Sequence, residues 1–239
     1  MISLAIIQAR YNSSRLRGKV MKRIGEKTVL SHVLSRASRI KGIDNVCCAI
    51  SEDKESDIIV DEAEKNGALI YRGSEKDVLE RYYLAAKFFK ADRILRITSD
   101  CPLIDPEVCQ MVIDLFDSAE VDYVANNMPP SWPHGLDCEF FSYEWLEEAH
   151  LKAKKIPERE HVTPYIRTNS RSKKLNLSCP TENLANNRWT LDTERDLEFF
   201  ETLFTELGNS IEGMGWRDIL DFIIRDRSLL PNQTWKNLI

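Results

Sequence analysis

The chain has 239 residues, 43% of them apolar and 30% charged, enough for one large α/β domain or a domain with a small appendage. Its formal net charge of −5 gives no general reason to bind nucleic acid or an anionic membrane, so neither partner is expected. The six cysteines (Cys47, Cys48, Cys101, Cys109, Cys138 and Cys179) form no C-x-x-C pair and have no histidine at zinc spacing, which suits a reducing cytosol rather than a metal centre.

The first apolar run, Leu4–Ile7, reads as a strand. It is too short for a signal segment or a membrane span, so a soluble cytoplasmic protein is expected. A polar loop follows, Gln8 to Lys19, inside a basic island: Arg10 to Arg23 holds six basic residues (Arg10, Arg15, Arg17, Lys19, Lys22, Arg23) and no acidic one. Arginine forks, a lysine point charge and the hydroxyls of Ser13 and Ser14 suit the many oxygens of a triphosphate. On composition alone a solvated basic loop is an equal reading. Neither the GxxxxGK[ST] nor the GxGxxG spacing is present.

Further along, Val29, Leu30, Val33, Leu34, Ala37 and Ile40 share a helical face, and Val46–Ile50 predicts a strand carrying Cys47 and Cys48 as core thiols. Ile58, Ile59 and Ala63 predict the next helix, Leu69–Tyr71 a strand, Val78 to Ala86 a helix and Ile94–Ile97 a strand. That last strand delivers Asp100 to its carboxyl end, where Pro102 stops regular pairing. Asp100 suits Mg²⁺, which takes one or two carboxylates alongside phosphate oxygens and water; a lone Asp there more commonly turns or caps the chain. Asp105 reads as the N-cap of a helix opened by Pro106 and carrying Val108, Met111, Val112, Leu115 and Phe116. Val121–Ala125 predicts one more strand, and strand–helix alternation to this point implies a largely parallel sheet covered on both faces.

After Asn126 turn formers dominate through Gly135. Beyond them the pattern predicts a run at Cys138–Phe141, helices over Tyr143–Ala153 and Glu160–Thr168, a run at Leu175–Leu177, a strand over Arg188–Asp192 and a helix over Glu194–Leu207. Taken alone, Asp192 or Thr193 is that helix's N-cap; beside Asp100 it becomes a second carboxylate for a shared metal. His134 and His161 have a bland reading each, a local hydrogen bond in a turn and a helix cap. At the end, Met214, Trp216, Ile219, Leu220, Ile223 and Ile224 form an apolar helical face that packs on the domain.

Five segments in order resemble those of the cytidylyltransferases that activate acidic sugars, such as the 3-deoxy-manno-octulosonate and acylneuraminate enzymes. They are Gln8–Lys19, Asp100–Leu103, Pro133–Glu139, Glu160–Ile166 and Leu191–Leu197. They match the QAR–S–RLPGK, DCPL, PHGLDCE-like, EHVTPYI-like and LTVDTPEDL-like segments of the branch associated with spore-coat polysaccharide biosynthesis. The likeness runs from residue 3 to about residue 207. It departs at Arg17, where the family has proline, and at Asn12, where glycine is frequent; the basic and hydroxyl set stays intact.

The resemblance implies a Rossmann-like nucleotidyltransferase fold of three layers with a mostly parallel sheet, as a single domain over residues 1–239. A substrate and dimerisation lobe would occupy about 127–187, and residues 211–239 would form a helical appendage. The implied partners are CTP, an acidic small-molecule acceptor and a second copy of the chain, with Mg²⁺ as cofactor. Arg10, Ser13, Arg15 and Lys19 would hold the triphosphate beside Ala9 and Thr98, with Arg10, Arg15, Lys19 and Asp100 carrying the chemistry. Asp100 and Asp192 would hold the metal. Arg72, Ser74, Asp77 and Arg81 would lie near base and ribose, although Arg81 also has helical spacing to pair with Asp77. Asn126, His134, Asp137, Glu139, Glu160 and His161 would line the acceptor pocket. Two other readings stand beside this one. A GT-A-like glycosyltransferase would ordinarily show a DxD motif, and here Asp100 is followed by Cys101-Pro102. A nucleotide-binding protein without catalysis would not need Lys19, Asp100 and Asp192 together.

Overall fold

Apolar runs of strand length, separated by amphipathic helices, build one sheet in the computed structural model, which describes residues 1–182 and 184–226. β1 (Ser3–Ala9) leads through a 3₁₀ turn at Lys19–Met21 to a small hairpin of β2 (Arg23–Ile24) and β3 (Lys27–Thr28), then α1 (Val29–Ala37). β4 (Asn45–Ser51), α2 (Asp57–Lys65), β5 (Leu69–Gly73), α3 (Val78–Phe88), β6 (Arg93–Thr98) and α4 (Pro106–Ser118) complete the alternating half. The remainder supplies β7 (Tyr123–Ala125), β8 (Glu139–Ser142), α5 (Tyr143–Lys152), α6 (Ile156–His161), α7 (Pro164–Thr168), β9 (Lys174–Asn176), α8 (Glu194–Leu207) and α9 (Trp216–Arg225).

The seven-stranded sheet runs β5-β4-β1-β6-β8-β7-β9. β5, β4, β1 and β6 are parallel, β8 is antiparallel to both β6 and β7, and β9 is parallel to β7. The mostly parallel α/β architecture expected from the sequence is therefore present. The side-chain period of two sends alternate residues to opposite faces. Ala5, Ile7, Leu95 and Ile97 pack with α1, α2 and α4, whereas Leu4, Ile6, Ala49 and Ile94 pack with α3, α5 and α7. Three layers result. A third apolar cluster joins Leu16, Leu103, Leu136 and Leu191 to α8 and α9, around the buried Trp132, Trp189 and Trp216. It clamps the loops that follow β1 and β6, since each large aromatic removes on the order of 150–250 Å² from water.

Three expectations need correction, and one element was not foreseen. Arg188–Asp192 is not a strand: its only ladder contact among the described residues is a bridge between His134 and Arg188. The amide of Leu191 instead donates to the carbonyl of Asp100 at 2.8 Å. The helix expected over Glu160–Thr168 is broken into α6 and α7 at Val162, whose φ is 70°. Pro164, at the first position of α7, has no N–H to donate to a continuing helix. Ile224 is 41% exposed, outside the face formed by Trp216, Ile219 and Ile223. The β2–β3 hairpin was not foreseen; its turn uses Gly25 at φ 62°. Residues 227–239 of the expected C-terminal appendage lie outside the described residues.

Candidate active site

A cleft of about 650 Å³ opens at the carboxyl ends of β1 and β6, where ligands collect in open α/β sheets. Its walls include Ala9, Arg10, Ser13, Arg15 and Lys19 from the first loop, Thr98 and Asp100 after β6, and Asp192. Arg81, His134, Glu160 and His161 line it as well. Twelve of the residues singled out in the sequence thus converge on one cavity.

The loop after β1 is shaped by Gly18, whose φ is +66° and which a Cβ would drive to 3.0 Å from the ring of Tyr11. The Gly18 amide also donates to the carbonyl of Tyr11 at 2.9 Å, folding the loop back on itself. This presents Lys19 to the cleft. Arg17 turns away, pairing with Glu55 and lying 5.9 Å above the ring of Tyr11. The residue that replaces the family's proline therefore adds a lateral tie to the loop.

At the cleft's centre, Lys19 Nζ donates to Asp100 Oδ2 at 2.5 Å and to Asp192 Oδ1 at 2.8 Å. Arg15 Nη2 lies 2.9 Å from Asp192 Oδ1, and Arg188 Nη2 donates to Asp192 Oδ2 at 2.6 Å. Burial alone would raise the Asp192 pKa, but the hydrogen bond and charge of Lys19 outweigh it, with Arg188 and Arg15 adding to them, and hold it at about 2. Burial would lower the Lys19 pKa, yet Asp100 and Asp192 raise it above its ordinary value. Both partners agree in sign, so Lys19 and Asp192 form an ionised pair.

Asp192 is free for this role because Thr193, not Asp192, caps α8: Thr193 Oγ1 accepts from Asp196 N. Asp105 caps α4, as expected, accepting from the amides of Glu107 and Val108. Its second oxygen accepts from Trp216 N at 2.6 Å, tying α9 to the turn after β6. Gly135 sets the opposite wall. At φ +119° it passes so near Trp189 that a Cβ would lie 2.2 Å from the Trp189 carbonyl oxygen. That approach allows the bridge between His134 and Arg188. His134 Nδ1 is 2.7 Å from Asp137 Oδ2, and this hydrogen bond raises the His134 pKa despite partial burial.

Six expected residues do not line the cleft. Arg72 pairs with Asp57 at 2.6 Å, and Ser74 Oγ accepts from Asp77 N at 3.0 Å. Asp77 caps α3 and is bound in a fork by Arg159, so it does not pair with Arg81, whose guanidinium donates to the Ser74 carbonyl. Asn126 is fully buried and bridges Leu136 O and Cys138 N. Asp137 stands behind His134, and Glu139 is buried against Arg96 and Arg167. Conversely, Arg96, Lys76, Glu75 and Thr190 line the cleft without having been assigned a role. Arg96 carried a readable signal, a cation inside the apolar strand Ile94–Ile97, where charge is rarely buried without a partner.

The donor set fits Mg²⁺. Among the described residues no three His, Cys, Asp or Glu side chains form a cage. Two carboxylates nevertheless converge on one cationic atom, and Mg²⁺ takes one or two such carboxylates alongside phosphate oxygens and water. Among the described residues no helix is long and apolar enough to cross a membrane.

A family model described as cytidylyltransferase matches residues 4–209. The chain is 36% identical over 224 residues to uncharacterized protein MJ1063 of Methanocaldococcus jannaschii, covering 92% of this chain and 89% of that one. It is 32% identical over 214 residues to the spore coat polysaccharide biosynthesis protein SpsF of Bacillus subtilis, covering 86% and 87%. A solved cytidylyltransferase from Leptospira borgpetersenii superposes with a TM-score of 0.92 at 30% identity, over 98% of each chain.

Proposed function

This chain belongs to the cytidylyltransferase family, and from that premise we propose that it transfers CMP from CTP to an acidic sugar or sugar-like acceptor with release of pyrophosphate, using Mg²⁺. The observation that carries the reading is the meeting of Lys19, Asp100 and Asp192 in a cleft whose first wall is basic. A triphosphate brings about four negative charges, and Arg10, Arg15 and Lys19 are the groups that offset them.

In the proposed reaction an acceptor oxygen forms a bond to the α-phosphorus while the bond to the bridging oxygen of pyrophosphate breaks. Asp100 and Asp192 would hold Mg²⁺, which when bound would neutralise the phosphate charge. Lys19 answers the charge that develops on the departing pyrophosphate, and Arg15 fixes Asp192 from the solvent side. The walls hold both reactants in line, so catalysis is positioning plus charge stabilisation rather than covalent chemistry by the protein. His134, Glu160 and His161 form the wall against which the acceptor rests.

A role in making precursors of a surface polysaccharide is part of the same proposal, supported by the likeness to SpsF. So is a cytoplasmic location, on six free thiols, five of them buried. The 127–187 stretch as acceptor lobe, and a homodimer formed through it, rest on resemblance alone.

The test is pyrophosphate release with Mg²⁺, each of the four NTPs and a panel of acidic and neutral sugars, comparing wild type with Asp100→Ala. CTP-dependent release that needs an acceptor and disappears in the variant supports the reading. Nucleotide binding without release with any acceptor, or release with no preference for CTP, counts against it.

A further inference from the structure

Beneath the acceptor wall lies a buried cluster with more positive than negative charge. Glu139, 2% exposed, is the first residue of β8 and stands in register with Arg96 of β6. Its Oε1 is 3.5 Å from Arg96 Nη1 and 3.8 Å from Arg167 Nη1, so one carboxylate faces two guanidiniums. Both contacts exceed hydrogen-bond length, which leaves the pairings electrostatic and loose. Arg167 has a second partner, donating to Asn127 Oδ1 at 2.5 Å. Among the described residues Arg96 has no ion-pair partner other than Glu139, and neither its buried Nε nor Glu139 Oε2 finds a hydrogen-bond partner. Of the three charged groups, only Arg96 lines the cleft.

A surplus buried cation is costly unless an anion answers it. The triphosphate donors stand elsewhere, on the loop after β1, whereas Arg96 lies on β6, which ends at Thr98 two residues before Asp100 and pairs with β8. We infer that Arg96 is the residue that reads the acceptor's acid group: its planar fork takes the acceptor's carboxylate beside Asp100, while Glu139 holds the guanidinium from behind. This deepens the cytidylyl-transfer reading and rests on it. Glu139 is then a positioning residue, reaching the acceptor only through Arg96. A carboxylate fits better than a second phosphate, because one fork matches two coplanar oxygens.

The experiment is calorimetric binding of 3-deoxy-manno-octulosonate and of its methyl ester, in the presence of a non-hydrolysable CTP analogue, to wild type, Arg96→Gln, Arg96→Lys and Glu139→Gln. Binding of the CTP analogue by each variant reports that it is folded. Wild type should favour the acid over the ester by about 30-fold or more, and Arg96→Gln should bind the two alike, as expected when a charge-assisted bidentate bond is lost. Arg96→Lys should restore part of the preference, and Glu139→Gln should weaken acid binding about 3- to 10-fold with the ester little changed. Equal loss for acid and ester in Arg96→Gln, or a wild type that binds both alike or neither, overturns the inference. CTP-dependent pyrophosphate release with neutral acceptors in the panel above, alongside such a result, would leave the cytidylyl reading standing while acid recognition falls.

Discussion

Lys19 and Asp192 are 173 residues apart in sequence and share a hydrogen bond of 2.8 Å. The same ammonium reaches Asp100, so three distant segments depend on one cation for their alignment. Lys19→Met leaves two carboxylates facing each other with only Arg15 and Arg188 to offset them. The expected result is a fall in kcat/KM for CTP on the order of 10²–10³, in line with loss of a preorganised charge at the reacting group. Steady-state pyrophosphate release measures it; a change under about 3-fold would remove Lys19 from the chemistry.

Neighbouring basic residues should separate cleanly. Arg15 contacts Asp192, whereas Arg17 contacts Glu55 and the Tyr11 ring outside the cleft. Arg17→Ala should therefore alter stability by less than about 1 kcal/mol, as for other exposed ion pairs. Its turnover should stay within about 2-fold of wild type, while Arg15→Ala loses roughly 10-fold or more. Equal losses would mean that loop charge in general matters, not its placement.

Gly135 has the tightest glycine environment, with a would-be Cβ 2.2 Å from a backbone oxygen. Gly135→Ala should destabilise by about 2–4 kcal/mol, from overpacking combined with a backbone angle that L residues avoid. Gly67 is a matched control: its φ is +70° and nothing lies within 4 Å of a Cβ. Gly67→Ala should cost only about 1–2 kcal/mol. Urea midpoints compare the two, and equal costs would show that the contact with Trp189 yields readily.

The acid limb of stability should carry a signature of Asp192. Its folded pKa of about 2 lies below the ordinary carboxylate value, near 3.9 in the unfolded chain. The unfolded state binds the proton first, so the stabilisation is complete above roughly pH 4 and is lost as pH falls toward 2. The margin of wild type over Asp192→Asn should shrink across that window, as read from urea unfolding at stepped pH. A margin that stays flat would mean that Asp192 is not held ionised by its neighbours.

The alternating half of the fold was legible because each run there has one period: two for the strands, 3.6 for the helices. Asp105 and the pair Lys19–Asp100 belong to that regular part, where a strand's end dictates what is presented. Legibility failed where long-range contacts decide. Arg188–Asp192 has the β-prone residues of a strand, but the pull of Asp100 on the Leu191 amide and the approach of Gly135 to Trp189 make it a strap. Arg72 and Asp77 were implied as ligand groups by the resemblance, yet their partners, Asp57 and Arg159, stand 15 and 82 residues away. Glu139 was implied as a pocket residue by the resemblance; the pleat of β8, which no composition reveals, turns it toward Arg96, and it does not line the cavity.

The reversed direction of β8 has a consequence for how the cleft is governed. Parallel strands β1 and β6 hand over their residues as the chain leaves the sheet, whereas the chain enters β8 at the same edge. One wall is thus an exit and the other an entrance, built from different stretches of the chain. An insertion or deletion between Asn127 and Leu136 would reshape the entrance wall while β1 and β6, whose following loops carry Lys19 and Asp100, kept their register. The two walls therefore draw on separate stretches of sequence and meet through the Trp189–Leu191 strap, which bonds to His134 on one side and to Asp100 on the other.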